Sequence, residues 1–197
     1  MGPDDIPEER GTPMLVEFRP VTSDADKEGL AQLAGDIWRE YWPALIGEEQ
    51  TEYMVANFQS LEAIERDMAE HGYEYWLVLA ADELTAPELE QGAQPAFRVV
   101  GYTGGHVEEE TNRFFISKIY LLVGERGKHF ASRIIEFYDR LCAERGLRAM
   151  YLTVNKHNDL GIRAYKAKGF KTIDAVETDI GQGFVMDDYI MEREVGA

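Results

Sequence analysis

Cysteine is nearly missing from this chain of 197 residues. The one present, Cys142, excludes an internal disulfide and a cysteine-built metal site. Long apolar runs are missing too. The longest, Trp76 to Ala81, falls far short of the ~20 residues that span a bilayer. The start, Met1-Gly-Pro-Asp-Asp5, has neither a basic nor an apolar stretch, so no secretory signal is read there. The expectation is a cytoplasmic protein without a membrane partner. Basic residues are scarce as well: 20 Lys and Arg stand against 37 Asp and Glu, a formal net charge of −17. Nucleic acid, whose phosphates are held by Lys and Arg, is therefore an unlikely partner class. An acidic surface attracts cationic small molecules or basic peptides, although it also serves solubility alone. His71, His106, His129 and His157 lack metal-ligand spacing, so no metal is expected.

What is present is one domain's worth of chain, 45% hydrophobic. Residues 1–13, rich in acids and turn formers, read as a disordered leader, and residues 14–197 as a single domain. Met14 to Arg19 reads as a strand closed by Pro20. Ser23 or Asp24 caps a helix carrying Leu30, Leu33, Ile37 and Tyr41. A second helix is predicted over Thr51 to Glu70, ended by Gly72. Strands follow at Tyr75–Ala80, Phe97–Tyr102 and Phe114–Val123. Asp82 to Pro95 is an extended loop, and Gly104-Gly105 lies between strands. The second half alternates: a helix from Gly127 to Arg145 with Phe130, Ile134, Phe137 and Leu141 on one face, a strand at Met150–Val154, a helix capped by Asn158, and strands at Phe170–Asp174 and Phe184–Glu192. Cys142 falls one position past that face and reads as packing. The class is α/β with a mixed sheet.

Two segments carry chemistry. In Tyr120 to Ser132 a strand runs through Gly124 and Gly127 straight into a helix. Unpaired amides and the helix dipole there suit a phosphate or pyrophosphate, with Arg126 and Lys128 adding charge. An ordinary strand-to-helix turn would look the same. In Asn155 to Phe170 a strand ends, Asn158 caps a helix, and Tyr165 lies on its inner turn, where a core tyrosine would also sit.

In this order, the two segments resemble the GNAT superfamily of acetyl-CoA-dependent N-acetyltransferases. Arg126-Gly-Lys-His-Phe-Ala131 is similar to its Arg/Gln-x-x-Gly-x-Gly/Ala motif. Asn158-Asp-Leu-Gly161-Ile-Arg-Ala-Tyr165, followed by Gly169-Phe170, is similar to its Asn-x-x-Ala-x-x-x-Tyr and Gly-Phe segment. His129 replaces the motif's central glycine and is expected to fit in a helical conformation; Gly161 replaces an alanine. The resemblance implies a mixed, mostly antiparallel sheet with a central splayed parallel pair, flanked by helices on both faces. It implies that Ile119, Tyr120 and Leu121 pair the pantetheine arm of acetyl-CoA. The amides of Arg126, Gly127, Lys128, His129, Phe130 and Ala131 would hold the pyrophosphate, and Asn158 would bond the pantetheine. Tyr165 would be general acid for the leaving thiolate, and an amide near Tyr120 would hold the oxyanion. The proton acceptor stays open among Glu108–Glu110, a water chain, and His106.

A finer likeness, to the bacterial branch related to diamine and spermidine acetyltransferases, lies in Glu49 to Met54, Phe58-Gln-Ser60, Gly72 to Tyr75, Ser117 to Leu121 and Met186 to Met191. It implies that Tyr53, Met54 and Phe58 line the acceptor site, although such a stripe is also what a packed helix shows. The expected reaction is direct attack of a primary amine, a polyamine first, on acetyl-CoA. A protein N-acetyltransferase and a non-catalytic acyl-CoA-binding domain are the alternatives. Phe184–Met191 is expected to be the edge of a homodimer.

Overall fold

The computed structural model describes residues 14–196, so the leader read at 1–13 lies outside the described residues. Its first element, β1 (Met14–Pro20), stops at a proline that has no amide to continue a ladder. Ser23 then caps α1 (Asp24–Tyr41): its hydroxyl accepts from the amide of Asp26 at 3.1 Å, and the Asp26 carboxylate accepts from the amide of Ser23 at 3.2 Å. A single turn, α2 (Pro43–Ile46), follows.

The helix expected over Thr51–Glu70 is two helices, α3 (Glu48–Phe58) and α4 (Leu61–Glu70). Ser60 breaks it by capping α4, its hydroxyl accepting from the amide of Ala63 at 3.2 Å. Gln59 turns inward at the break and accepts from the buried Tyr102 hydroxyl at 2.9 Å. The segment read as loop after β2 (Glu74–Asp82) holds a short helix, α5 (Ala86–Glu90), begun by a Thr85–Glu88 capping box.

β3 (Arg98–Glu108) and β4 (Arg113–Leu121) form the next hairpin. Gly104-Gly105 lies inside β3 rather than between strands, and close approach explains why. A Cβ on Gly104 would come within 2.6 Å of the Tyr75 ring, and one on Gly105 would strike the carbonyl of Phe115. The register shifts between these glycines, leaving Ser117 as the extra residue of a bulge in β4. Then come α6 (Phe130–Glu144), β5 (Ala149–Asn155), α7 (Asp159–Ala167), β6 (Lys171–Gly181) and β7 (Phe184–Glu194).

All seven strands form one sheet in the order β1-β2-β3-β4-β5-β7-β6. Every neighbouring pair is antiparallel except β4 and β5. One face packs Val78, Phe114, Ile116, Met150 and Leu152 against Ile134 and Tyr138 of α6. The other packs Leu77, Leu79 and Tyr102 against Leu30, Ala34 and Ile37 of α1 and Ile64 of α4. On α6 the buried residues are Phe130, Ile134, Ile135, Tyr138 and Cys142, so the inner face is turned from the expected stripe. Phe137 instead lies at the margin, stacked on Phe18 at 4.3 Å. Cys142 is fully buried, and burial pushes its thiol up to about 11, which makes it a packing residue.

The expected dimer edge is corrected: β7 is interior, paired with β5 on one side and β6 on the other. The sheet's edges are β1 and β6. The exposed Lys171, Asp174, Glu177 and Asp179 suit β6 to that place, because charged side chains blunt an open edge. Among the described residues no helix is long and apolar enough to cross a membrane.

Candidate active site

The sheet opens at the only parallel pair among the described residues. β4 and β5 pair solely over Arg113–Phe115 and Ala149–Tyr151, although β4 continues to Leu121 and β5 to Asn155. The outer edges of both strands stay laddered, to β3 through Leu121 and to β7 through Asn155. The result is a wedge-shaped cleft with stiff walls and free backbone groups on its inner edges. Ile119, Tyr120 and Leu121 lie on the β4 wall.

At the wide end of the cleft the chain leaves β4 through a turn at Val123–Glu125 and enters α6. The helix starts three residues later than expected, because His129 is its N-cap and adopts φ 65°, ψ 11°. The helical conformation expected for His129 is therefore wrong: it holds the left-handed geometry that glycine adopts freely, as Gly127 does at φ 80°. A left-handed residue followed by a helical one lets consecutive amides face the same way. Among the described residues, the amides of Gly127, His129, Phe130 and Ala131 have no acceptor, while Lys128 follows a turn through Arg126 and Gly127; the first turn bonds come from Ser132 and Arg133 to the His129 carbonyl. A run of unpaired amides at a helix start is an anion nest. The expected cations contribute less. The Arg126 guanidinium sits 3.9 Å over the Tyr41 ring and donates to the Leu121 carbonyl at 3.3 Å. Lys128 pairs with Glu125 at 3.1 Å. Both brace the turn, and the backbone supplies the positive field. The Phe130 side chain is buried in the core, so that residue can offer only its amide.

On the opposite wall Asn158 caps α7, its Oδ1 accepting from the amide of Gly161 at 3.0 Å. A Cβ at Gly161 would come within 2.8 Å of the Asn158 amide nitrogen, so glycine in place of alanine makes room for this cap. Tyr165, two turns on, packs edge-on to Phe170 at 5.8 Å, and burial pushes its hydroxyl up to about 12. It stays protonated at neutral pH, as a general acid must. Burial drives the Tyr120 hydroxyl higher still, with the charges of Tyr165 and Asp188 adding to the effect.

Asp188 is the residue that sequence reasoning missed. It is 4% exposed on β7, and its Oδ1 has no partner among the described residues. Burial, then the neighbouring Asp187, raise its carboxyl to about 6. The signal was two adjacent acids inside an otherwise apolar strand. Lys118 on β4 is a second unforeseen buried ion, lowered by burial to about 8 and lying 5.7 and 5.9 Å from the rings of Tyr73 and Tyr75.

The acceptor-lining residues are brought together in part. Met54 is buried with Trp38 and Val55, and Phe58, Tyr120 and Met186 pack on them. The Tyr53 hydroxyl donates to the Ile180 carbonyl at 2.5 Å and its ring meets Phe184 at 5.3 Å, which ties α3 to the β6–β7 hairpin. The bases left open by the sequence lie at the paired end of the cleft. Glu108 is bound by Thr111, by Arg113 at 2.6 Å and by Tyr151 at 3.1 Å, and these bonds, Thr111's first, hold its carboxyl below the usual range. His106 pairs in register with Phe115 and packs on Tyr73 at 4.7 Å; burial lowers its pKa, keeping it neutral. Among the described residues no group of His, Cys, Asp or Glu is placed to hold a metal ion.

The cleft fits acetyl-CoA in kind, with an amide nest for a pyrophosphate and open strand edges for an amide-bearing arm. Comparisons point the same way. The PaiA N-acetyltransferase of Thermoplasma acidophilum, solved in complex with coenzyme A, matches with TM-score 0.66 and 20% identity over 91% of this chain and 99% of that one. A GCN5-related N-acetyltransferase from Rhodopseudomonas palustris matches with TM-score 0.63 and 15% identity over 90% and 94%. Mutant forms of the spermidine/spermine N-acetyltransferase SpeG from Vibrio cholerae match with TM-score 0.59 and 15% identity over 91% and 93%. At these identities the likeness is one of fold. Among curated proteins no sequence matches. The acetyltransferase (GNAT) family model, however, matches residues 34–170, from the middle of α1 to the start of β6. That span contains the amide nest, both cleft walls and Tyr165, and on it the chain belongs to the GNAT acetyltransferase family and is an acyltransferase.

Proposed function

We propose that this protein transfers the acetyl group of acetyl-CoA to a primary amine of a small cationic molecule, a polyamine first, in the cytoplasm. The observation that carries the reading is the set of acceptorless amides at Gly127 and at His129 to Ala131, at the mouth of the cleft between β4, which bears Tyr120, and β5. The nest would hold the pyrophosphate, and the free edge of β4 at Ile119–Leu121 would pair the pantetheine. Acetyl-CoA would supply the activated carbonyl. The oxyanion would be met by a β4 amide near Tyr120, just past the Ser117 bulge, where the strand is re-aimed toward the gap. The Tyr165 hydroxyl would deliver its proton to the departing sulfur.

A cationic acceptor is favoured by the net charge of −17 and by an aromatic wall, in which Trp38 lies 5.5 Å from Tyr120 and 4.9 Å from Trp42. With β7 interior, a homodimer built by strand pairing would have to use β1 or β6.

The test is to follow thiol release from acetyl-CoA over a panel of polyamines, amino acids, aminoglycosides and peptide amines. Spermidine or a diamine is expected to turn over best. Tyr165→Phe is expected to lower kcat by about a hundredfold or more with coenzyme A affinity intact. Tight coenzyme A binding with no turnover on any amine would defeat the reading, and an unchanged kcat in Tyr165→Phe would remove the acid role.

A further inference from the structure

An ammonium cannot attack a carbonyl until it loses a proton, and the carboxylate of Glu108 is committed to Arg113 at the far end of the cleft. We propose that Asp188 of β7 binds the acceptor's ammonium and takes its proton, a role that rests on the acetyl-transfer reading above.

The placement of Asp188 carries the proposal. In register it sits opposite Asn155, the last residue of β5, where β5 has already parted from β4. Side chains two apart on a strand share a face. Met186, two residues earlier, packs on the Trp38–Met54 cluster with Tyr120, whereas Tyr189 and Met191 pack on the α6 side. Asp188 therefore faces α1 and α3 and looks across the gap toward Tyr120, on the side roofed by the acceptor-lining residues. It is 4% exposed, yet Oδ1 receives no hydrogen bond among the described residues. A buried carboxylate oxygen without a donor is costly. An ammonium is the donor of matching charge and size.

The surrounding groups keep this carboxylate available. Asp187, next to it, raises its pKa but is itself bound by Lys156, which also feels Glu177 of β6 and Tyr189. Lys156 and a hydrogen bond from Thr153 of β5 pull Asp188 the other way, and burial outweighs both. On β4 the charge-sensitive neighbour is Tyr120, itself coupled to Tyr165 of α7. The residues that α1 and α3 bring to this face, Trp38 and Met54, do not titrate.

The protons balance. The ammonium gives one proton to the Asp188 carboxylate and becomes a neutral amine. Its nitrogen adds to the thioester carbonyl to form the N–C bond and an oxyanion, and the C–S bond breaks as that oxyanion collapses to the amide. The Tyr165 hydroxyl protonates the sulfur and is restored by the second proton leaving the nitrogen. Asp188 then loses its proton to solvent, so each turnover releases one.

The experiment is a pH profile of kcat and of kcat/KM for spermidine at saturating acetyl-CoA for the wild type and Asp188→Asn, with calorimetry of coenzyme A and of spermidine on both. In the wild type kcat/KM for spermidine is expected to fall in acid with a midpoint near 6. Asp188→Asn is expected to lose that limb and at least about a hundredfold in kcat while binding coenzyme A within about twofold of wild type. A variant within threefold of wild-type kcat, or a wild type with no such limb, overturns the role. A wild type that binds coenzyme A but acetylates no amine instead defeats the acetyl-transfer reading. Asp188 is then judged by spermidine binding alone, where less than a tenfold loss in Asp188→Asn overturns the anchor.

Discussion

The two ends of the β4–β5 cleft treat charge in opposite ways. At the paired end Arg113 is clamped by Glu108 at 2.6 Å and Glu192 at 2.9 Å and lies 4.2 Å over the Tyr151 ring, while Arg148 reaches Glu192 at 3.4 Å. At the open end Asp188 has an oxygen with no donor, and two tyrosines are pushed upward by burial. One end is satisfied and the other is left wanting a ligand. A fold can bear the second because the first, with full ladders on either side, holds the strands apart at a fixed angle. Perturbed titration in a cleft is where chemistry is sought, and here it separates a structural carboxylate from a reactive one.

The sharpest way to break this comparison is to remove each carboxylate and follow stability with pH. Asp188 titrates higher in the folded chain than in the unfolded one. Its burden is absent below about pH 4, grows as pH rises to about 6 and is constant above that. Asp188→Asn is therefore expected to match wild-type stability near pH 4 and to exceed it by about 3 kcal/mol at pH 8, the worth of some two pKa units. Glu108 has the opposite sign. Its folded pKa is lowered, so the stability it lends is present above its unfolded pKa and is lost as pH falls through the folded one. Glu108→Gln should be less stable than wild type at pH 7 and converge with it in acid. Denaturant melts across pH check both. Curves that move the same way would dissolve the distinction between the two ends.

A smaller effect comes from uncoupling the paired end. Arg113→Met leaves Glu108 and Glu192 facing each other with only Arg148 near, and is expected to cost about 2 kcal/mol of stability. If the ends are independent, kcat per folded molecule should stay within about threefold of wild type. A large fall in kcat without unfolding would mean that the angle of the cleft, and not only its chemistry, depends on this ion cluster.

How much of this was legible in the sequence follows from what a side-chain pattern can carry. Apolar period and capping residues mark the strands and helices, so Ser23 and Asn158 were read as caps correctly. The break at Ser60 was missed because Phe58, Leu61 and Ile64 keep helical spacing across it. Gly104-Gly105 suggested a turn, since two glycines look alike whether a chain bends or a neighbouring strand comes close. The class of the sheet was readable, but its opening was not: the parting of β4 from β5 is an absence of backbone bonds, and no residue type marks it except through the resemblance. Arg126 and Lys128 looked like phosphate ligands because their partners, Tyr41, Leu121 and Glu125, depend on tertiary placement. Asp188 was passed over because a charge in an apolar strand gains meaning only when its strand proves interior and its face known.

The same resemblance flagged His129, and the structure turns that departure into the subtlest prediction. A residue with a Cβ in the left-handed region carries about 1–2 kcal/mol of strain, which glycine would relieve. Glycine also gives the unfolded chain more freedom, worth about 0.5–1 kcal/mol, so His129→Gly should stabilise by no more than about 1.5 kcal/mol. Affinity discriminates better than stability. The strain is present with or without ligand and cancels from binding, whereas a Cβ and imidazole beside the amide nest hinder only the bound state. Coenzyme A should therefore bind several-fold tighter to His129→Gly by calorimetry. Weaker binding would mean that the imidazole itself reaches the pyrophosphate, making the nest at the open end a mixed site of backbone and side chain.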